Sequence, residues 1–160
     1  MKRILSIVEV LIIIAISLIP LFPNFPYRLN SYLSWEGAYR MASGQVPFRD
    51  FGMPIGYMYW VIPTLFFKIF GAQMITLIKA QMFINIVGGL SFRWILKSFN
   101  VPAAVSFIGV LVFCLTYSLP NYWPWYNHSV ILYELIALAF LAHFLNSRPT
   151  RWQYIWPFLS

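Results

Sequence analysis

From Ile4 to Phe22 the chain is apolar on almost every face, with Lys2 and Arg3 immediately before it. The run is long enough to cross a hydrocarbon layer of about 30 Å at about 1.5 Å per residue. In lipid, backbone N–H and C=O groups find partners only within helices or closed barrels. A barrel strand would alternate apolar and polar residues, and this run does not, so helices are expected. Composition agrees: 61% of residues are hydrophobic and 9% charged, where a soluble domain carries about 25% charged residues. The expected fold is all-α: a polytopic transmembrane helical protein with about four spanning helices plus interfacial helices in the first outer loop.

A basic start before an apolar run also describes a signal peptide. The flank Pro20-Leu21-Phe22-Pro23 lacks the small-x-small pattern of a cleavage site, so an uncleaved anchor is expected. Three further spans follow by the same test, at about Met74–Phe92, Val101–Leu119 and Val130–Leu145. The status of one more apolar run, Ile55–Phe70, decides the topology. If it crossed, Arg93, Lys97, Arg148 and Arg151 would all lie outside, against the bias that keeps cations cytoplasmic. If it stays at the interface, Lys2/Arg3, Arg93/Lys97 and Arg148/Arg151 share one side. Pro54, Gly56 and Pro63 punctuate the run, and Tyr57, Tyr59 and Trp60 suit the headgroup level. The run is therefore read as non-spanning, with the N-terminus cytoplasmic. The net charge of +7 belongs to this orientation and implies membrane lipids rather than nucleic acid as partners. Cys114 is the only cysteine, which excludes an intrachain disulfide and a multi-cysteine zinc site.

Two outer loops result. In the first, Leu33–Ala42 is expected to form a short interfacial helix closed by Gly44. Glu36 and Arg40 lie four apart on one face of it. They make either an ordinary surface ion pair or a carboxylate held as general base or metal ligand and tuned by Arg40. Asp50, beside Arg49 in the turn after Pro47, is either a turn cap or a second catalytic carboxylate. Arginine forks match phosphate oxygens, so Arg40 and Arg49 are candidate substrate contacts. Arg28 belongs to the same loop.

The second loop, Asn121–His128, reads NYWPWYNH. It is either an aromatic girdle or a sugar or headgroup site using Tyr126, Asn127 and His128. Asn127-His128-Ser129 also fits a glycosylation sequon, but it abuts a span. Within the spans, Lys79 either snorkels or joins the substrate contacts. Glu134, about one turn below the aromatic loop, is placed to reach the same aqueous pocket. Glu9 is expected to pair with a helix outside this chain, and His143 to be an interfacial histidine. No Walker loop, zinc motif, dinucleotide fingerprint or nucleophile elbow occurs.

Glu36-Gly37, Ala42, Gly44, the run Val46-Pro47-Phe48-Arg49-Asp50-Phe51, then Pro54, Gly56 and Tyr59, and finally Lys68-Ile69-Phe70-Gly71 form a series. This series resembles the first outer loop of polytopic GT-C glycosyltransferases, of the protein mannosyltransferase and aminoarabinose transferase type. Trp125-Tyr126-Asn127-His128 also resembles some members. Trp35 stands where that family usually has aspartate, which leaves Glu36 as the nearest carboxylate. Family members are several times longer, so residues 1–160 resemble a partial N-terminal transmembrane domain. The resemblance implies transfer of a sugar from a polyprenyl-phosphate donor to a lipid, glycan or protein acceptor at the outer face of a bacterial inner (plasma) membrane. It fixes no cofactor, and a divalent cation is compatible with it. The alternative is a non-catalytic membrane subunit or a degenerate remnant.

Overall fold

The computed structural model describes residues 2–22, 29–52 and 56–146. Arg28, Pro54, Arg148, Arg151 and the closing Trp156–Ser160 lie outside the described residues. All regular elements described are helical: α1 (Lys2–Leu18), extended by a 3-10 turn at Ile19–Leu21, α2 (Leu29–Ala42), α3 (Met58–Phe70), α4 (Met74–Ser98), α5 (Ala103–Phe113) and α6 (Tyr126–Asn146). A π-helical turn, Cys114–Ser118, prolongs α5.

Helix lengths sort the elements into two kinds. The α1 segment Ile4–Leu21, α4 and α6 are long and apolar enough to cross a membrane, at 18, 25 and 21 residues. With its π turn, the apolar α5 forms the fourth member of the bundle. Helix α3 has only 13 residues, about 20 Å of rise, which falls short of a layer of about 30 Å. Its apolar length thus agrees with the non-spanning reading drawn from charge.

An ion pair sets the register of the first and second spanning helices. Glu9 of α1 accepts a 2.8 Å bond from Arg93 Nε of α4, with the two side chains 3% and 16% exposed. Arg93 Nη2 also donates to Ser6 Oγ (2.5 Å) and to the Ser6 carbonyl (3.2 Å), and Lys97 Nζ donates to Ser6 Oγ (2.9 Å). The expected partner of Glu9 beyond this chain is therefore corrected: Arg93 fills that place. The same bonds explain why α4 runs on to Ser98 and does not stop near Phe92. Arg93 is paired within the bundle and Lys97 is bonded to Ser6, so the helix continues past Phe92. Farther along, Gly89 lies against Ile13, where a Cβ would come within 2.7 Å of Ile13 Cγ2. Residues 6, 9 and 13 thus meet 97, 93 and 89, so α1 and α4 are antiparallel.

The other spans follow from α4. Leu96 packs on Gly109 and Phe92 stacks on Phe113 at 4.7 Å, so α5 runs antiparallel to α4. Gly88 lies beside Tyr117 and Leu132, while Trp94 meets Phe140 at 5.5 Å and His143 at 5.4 Å, so α6 runs parallel to α4. Glycines 88 and 89 let three neighbours approach α4 closely, as small residues do in membrane bundles. The outcome is a bundle with a basic end, at Arg93 and Lys97, and an aromatic end that carries α2, α3 and the Asn121–Trp125 loop.

A polar string crosses this apolar interior. Gln81 Nε2 donates to Asn85 Oδ1 (2.7 Å), and Asn85 Nδ2 donates to the Ser118 carbonyl (3.1 Å). The π turn explains the geometry. Leu119 N–H bonds back to Cys114 O, the widened turn leaves carbonyls over, and Asn85 and Asn121 take those of Ser118 and Tyr117.

Removing one partner from a buried ion pair strands the other charge, at a cost of about 3–5 kcal/mol. Thermal unfolding in detergent is expected to show that loss for Arg93→Met alone. The double variant Glu9→Gln/Arg93→Met should recover most of it, whereas additive losses would show that the two residues do not act as a pair.

Candidate functional site

Helix α2 carries the Glu36–Arg40 pair and is fastened on three sides. Its buried face is made of Ser31, Ser34, Gly37 and Ala38, small residues at helical spacing. They let α3 come close, with Gly37 directly against the Trp60 ring. Thr64 Oγ1 of α3 donates to the carbonyls of Trp60 (2.7 Å) and Ala38 (3.3 Å). Ser34 Oγ donates to the Pro124 carbonyl (2.5 Å), and Trp35 Nε1 to the Ala72 carbonyl (3.2 Å). Gly44, at φ +90°, turns the chain away at the end of α2 as expected. The helix begins four residues before the expected Leu33, because Ser31 belongs to the same buried small-residue face.

On the open side of α2, Arg40 donates twice to one oxygen of Glu36, from Nε at 3.0 Å and Nη2 at 2.6 Å. Both bonds end on Oε1, which leaves Oε2 unbound by Arg40. The pair is half exposed, so it contributes only about 0.3–0.5 kcal/mol to stability. Its importance is its location, because two clefts share it. One, of about 140 Å³, is walled by Leu33, Gly37, Phe51 and Trp60. The other, of about 480 Å³, is walled by Tyr32, Trp35, Tyr39 and Gln45. Trp35 stacks on Tyr39 at 5.0 Å, and the Arg40 guanidinium lies 5.5 Å from the Phe51 ring centroid. A carboxylate and a guanidinium between aromatic walls can hold a hydroxyl-bearing ring and an anionic group side by side.

Asp50 does different work. Its Oδ2 accepts the Val46 N–H (2.8 Å), and Arg49 grips both carboxylate oxygens at 2.9 and 2.8 Å. The Arg49 hydrogen bond and then the Val46 N–H hold the carboxyl well below its usual value, at about 2. Asp50 thus closes the turn that places Phe48 at φ +64° and brings Phe51 toward Arg40. Neither Arg49 nor Asp50 lines the two clefts at Glu36.

The remaining sequence candidates are spread around the aromatic end. His128 lines a third cleft, of about 220 Å³, with Asn30, Asn121, Tyr122, Trp123 and Trp125. Its Nδ1 is buried with no hydrogen-bond partner among the described residues. Tyr126 faces a fourth cleft beside Tyr59 and Tyr133, and Asn127 is exposed. The Lys79 ammonium lies over the Phe70 ring, 5.1 Å from its centroid, and borders neither Glu36 cleft. Glu134 is exposed on α6 and does not join the cleft of His128. Asn30 and Asn121 were not singled out by sequence reasoning. Asn30 could have been found from its place one residue ahead of the small, polar face of α2.

Among the described residues no three His, Cys, Asp or Glu side chains cluster so as to hold a metal ion.

A Cβ added at Gly37 would overlap the Trp60 indole. Gly37→Ala is expected to push α3 away from α2 at a cost of about 1–3 kcal/mol and to shift tryptophan fluorescence. Thermal unfolding of Gly37→Ala/Trp60→Leu should show the loss relieved, and an unperturbed single variant would contradict this packing. Comparison of the chain with protein-family models, curated proteins and solved structures returns no match, and the class established by the chain itself is a polytopic helical membrane protein.

Proposed function

We propose that this chain belongs to a membrane glycosyltransferase that transfers a sugar from a polyprenyl-phosphate donor to an acceptor hydroxyl at the aromatic end of the bundle. The observation that carries this reading is the Glu36–Arg40 pair standing where two aromatic-walled clefts meet. A lipid-linked donor reaches such a site from within the membrane, while a polar acceptor reaches it from water.

In this reading Glu36, through Oε2, takes the proton of the acceptor hydroxyl as that oxygen bonds to the anomeric carbon. The bond from that carbon to the donor phosphate breaks, and the polyprenyl phosphate leaves with the electron pair. Arg40 meets the phosphate charge through guanidinium donors turned away from Glu36. Trp35 and Tyr39 give the sugar a stacking wall. Asp50 and Arg49 hold the turn that brings Phe51 to Arg40.

The test is Glu36→Gln in the longest natural form of the protein, assayed with a polyprenyl-phosphate sugar. Loss of a general base lowers kcat by roughly 100- to 10,000-fold. Arg40→Gln should chiefly raise KM for the donor. Full transfer by Glu36→Gln would overturn the assignment.

One observation favours a second reading, a non-catalytic subunit of a larger membrane assembly. Glu134 is exposed on α6 among the exposed Val130, Ile131 and Leu138, and a carboxylate on such a stripe normally faces protein or water rather than lipid. Co-purification with a larger membrane protein that Glu134→Gln abolishes, without donor-dependent transfer, would establish this reading in place of the first.

A further inference from the structure

At the basic end, far along the bundle from Glu36, α1, α4 and α5 surround an open cavity of about 750 Å³. Its wall includes Ser6, Glu9, Lys97, Asn100, Ala103 and Ser106, and the sugar-transfer reading uses none of them. Ser106 is 3% exposed, borders the cavity, and its hydroxyl has no hydrogen-bond partner among the described residues. A helical serine commonly bonds back to the carbonyl four residues earlier. Here the Pro102 carbonyl receives only the ordinary backbone N–H of Ser106 (2.9 Å), and the hydroxyl makes no such back-bond.

The first turn of α5 opens onto the same space. Pro102 precedes it without a side-chain cap, so the N–H groups of Ala103, Ala104 and Val105 have no partners within the helix. Such a terminus favours an anion. The charges agree in sign. Glu9 is matched by Arg93 (2.8 Å), and Lys97, bonded to Ser6 Oγ (2.9 Å), adds positive charge without a carboxylate of its own among the described residues.

From the unpartnered Ser106 hydroxyl, the uncapped α5 terminus and Lys97, we propose that this cavity binds a phosphate group. Ser106 and the α5 amides supply hydrogen bonds, and Lys97 supplies charge. The phosphate belongs either to an anionic lipid headgroup, which lies at this depth beside a membrane-spanning bundle, or to a soluble phosphate compound. The proposal stands apart from sugar transfer and is tested without it.

The chain, purified in neutral detergent, is exposed to phosphatidylglycerol or to diacylglycerol, which lacks the phosphate. Retained lipid is read by native mass spectrometry, and binding of inorganic phosphate by calorimetry. Phosphatidylglycerol should be retained over diacylglycerol, and Lys97→Gln and Ser106→Ala should each weaken retention about tenfold, the scale of one charge-assisted hydrogen bond. Ser106→Ala removes a hydroxyl without a hydrogen bond to any described residue, so the fold does not depend on it. Retention unaffected by inorganic phosphate assigns the site to a lipid. Phosphate binding that displaces the lipid and is lost in both variants assigns it to a soluble compound. Lipid and phosphate binding unchanged in both variants overturns the proposal.

Discussion

Neither a carboxylate nor a guanidinium can be left alone inside an apolar bundle, and the meeting of Glu9 with Arg93 organises everything else. It can form only if α1 and α4 run antiparallel with their basic ends level. That requirement fixes the direction of α4, and glycines 88 and 89 then fix how closely α1 and α6 approach it. It also constrains the chain between Phe22 and Met74, which must leave and re-enter the bundle at the same end. Helices α2 and α3 are held there as a consequence, and the clefts around Glu36 exist because of that confinement.

Polarity inside the bundle is spent on geometry. Gln81 and Asn85 carry a hydrogen-bonded path to the Ser118 carbonyl, which the π turn exposes. At the aromatic end the same economy appears in α2, where Ser34, Trp35 and Ala38 each tie the helix to a different neighbour. Glu36 and Arg40, on the opposite face, are left facing the clefts. The division of labour between the two loop carboxylates follows from their partners. Asp50 is gripped by Arg49 and by a backbone amide, whereas Glu36 keeps one oxygen clear of Arg40.

Much of this was legible in the sequence for identifiable reasons. The non-spanning character of α3 followed from the positions of Arg93 and Lys97, because charge sidedness is a property of the whole chain. The Glu36–Arg40 pair followed from a four-residue spacing, which needs only a helix. The partner of Glu9 was not legible, since Arg93 lies 84 residues away and their meeting depends on interhelical register. Trp35 was read only as a departure from a family pattern, and its bond to the Ala72 carbonyl is a tertiary contact that spacing cannot reveal. The π turn, the vacant Ser106 hydroxyl and the scatter of Tyr126, Asn127 and His128 over separate surfaces arise the same way. Each depends on what packs alongside.

The most direct test of the whole arrangement is the sidedness of three exposed positions, Ser43, Lys68 and Asn100. With the buried Cys114 replaced by alanine, a single cysteine at each is challenged in sealed membranes with an impermeant maleimide from one side at a time. The antiparallel meeting of α1 and α4 predicts that positions 43 and 68 react from one side and position 100 only from the other. Reaction of position 68 from the side opposite position 43, with positions 43 and 100 sharing one side, would mean that α3 crosses the membrane, and would contradict the account.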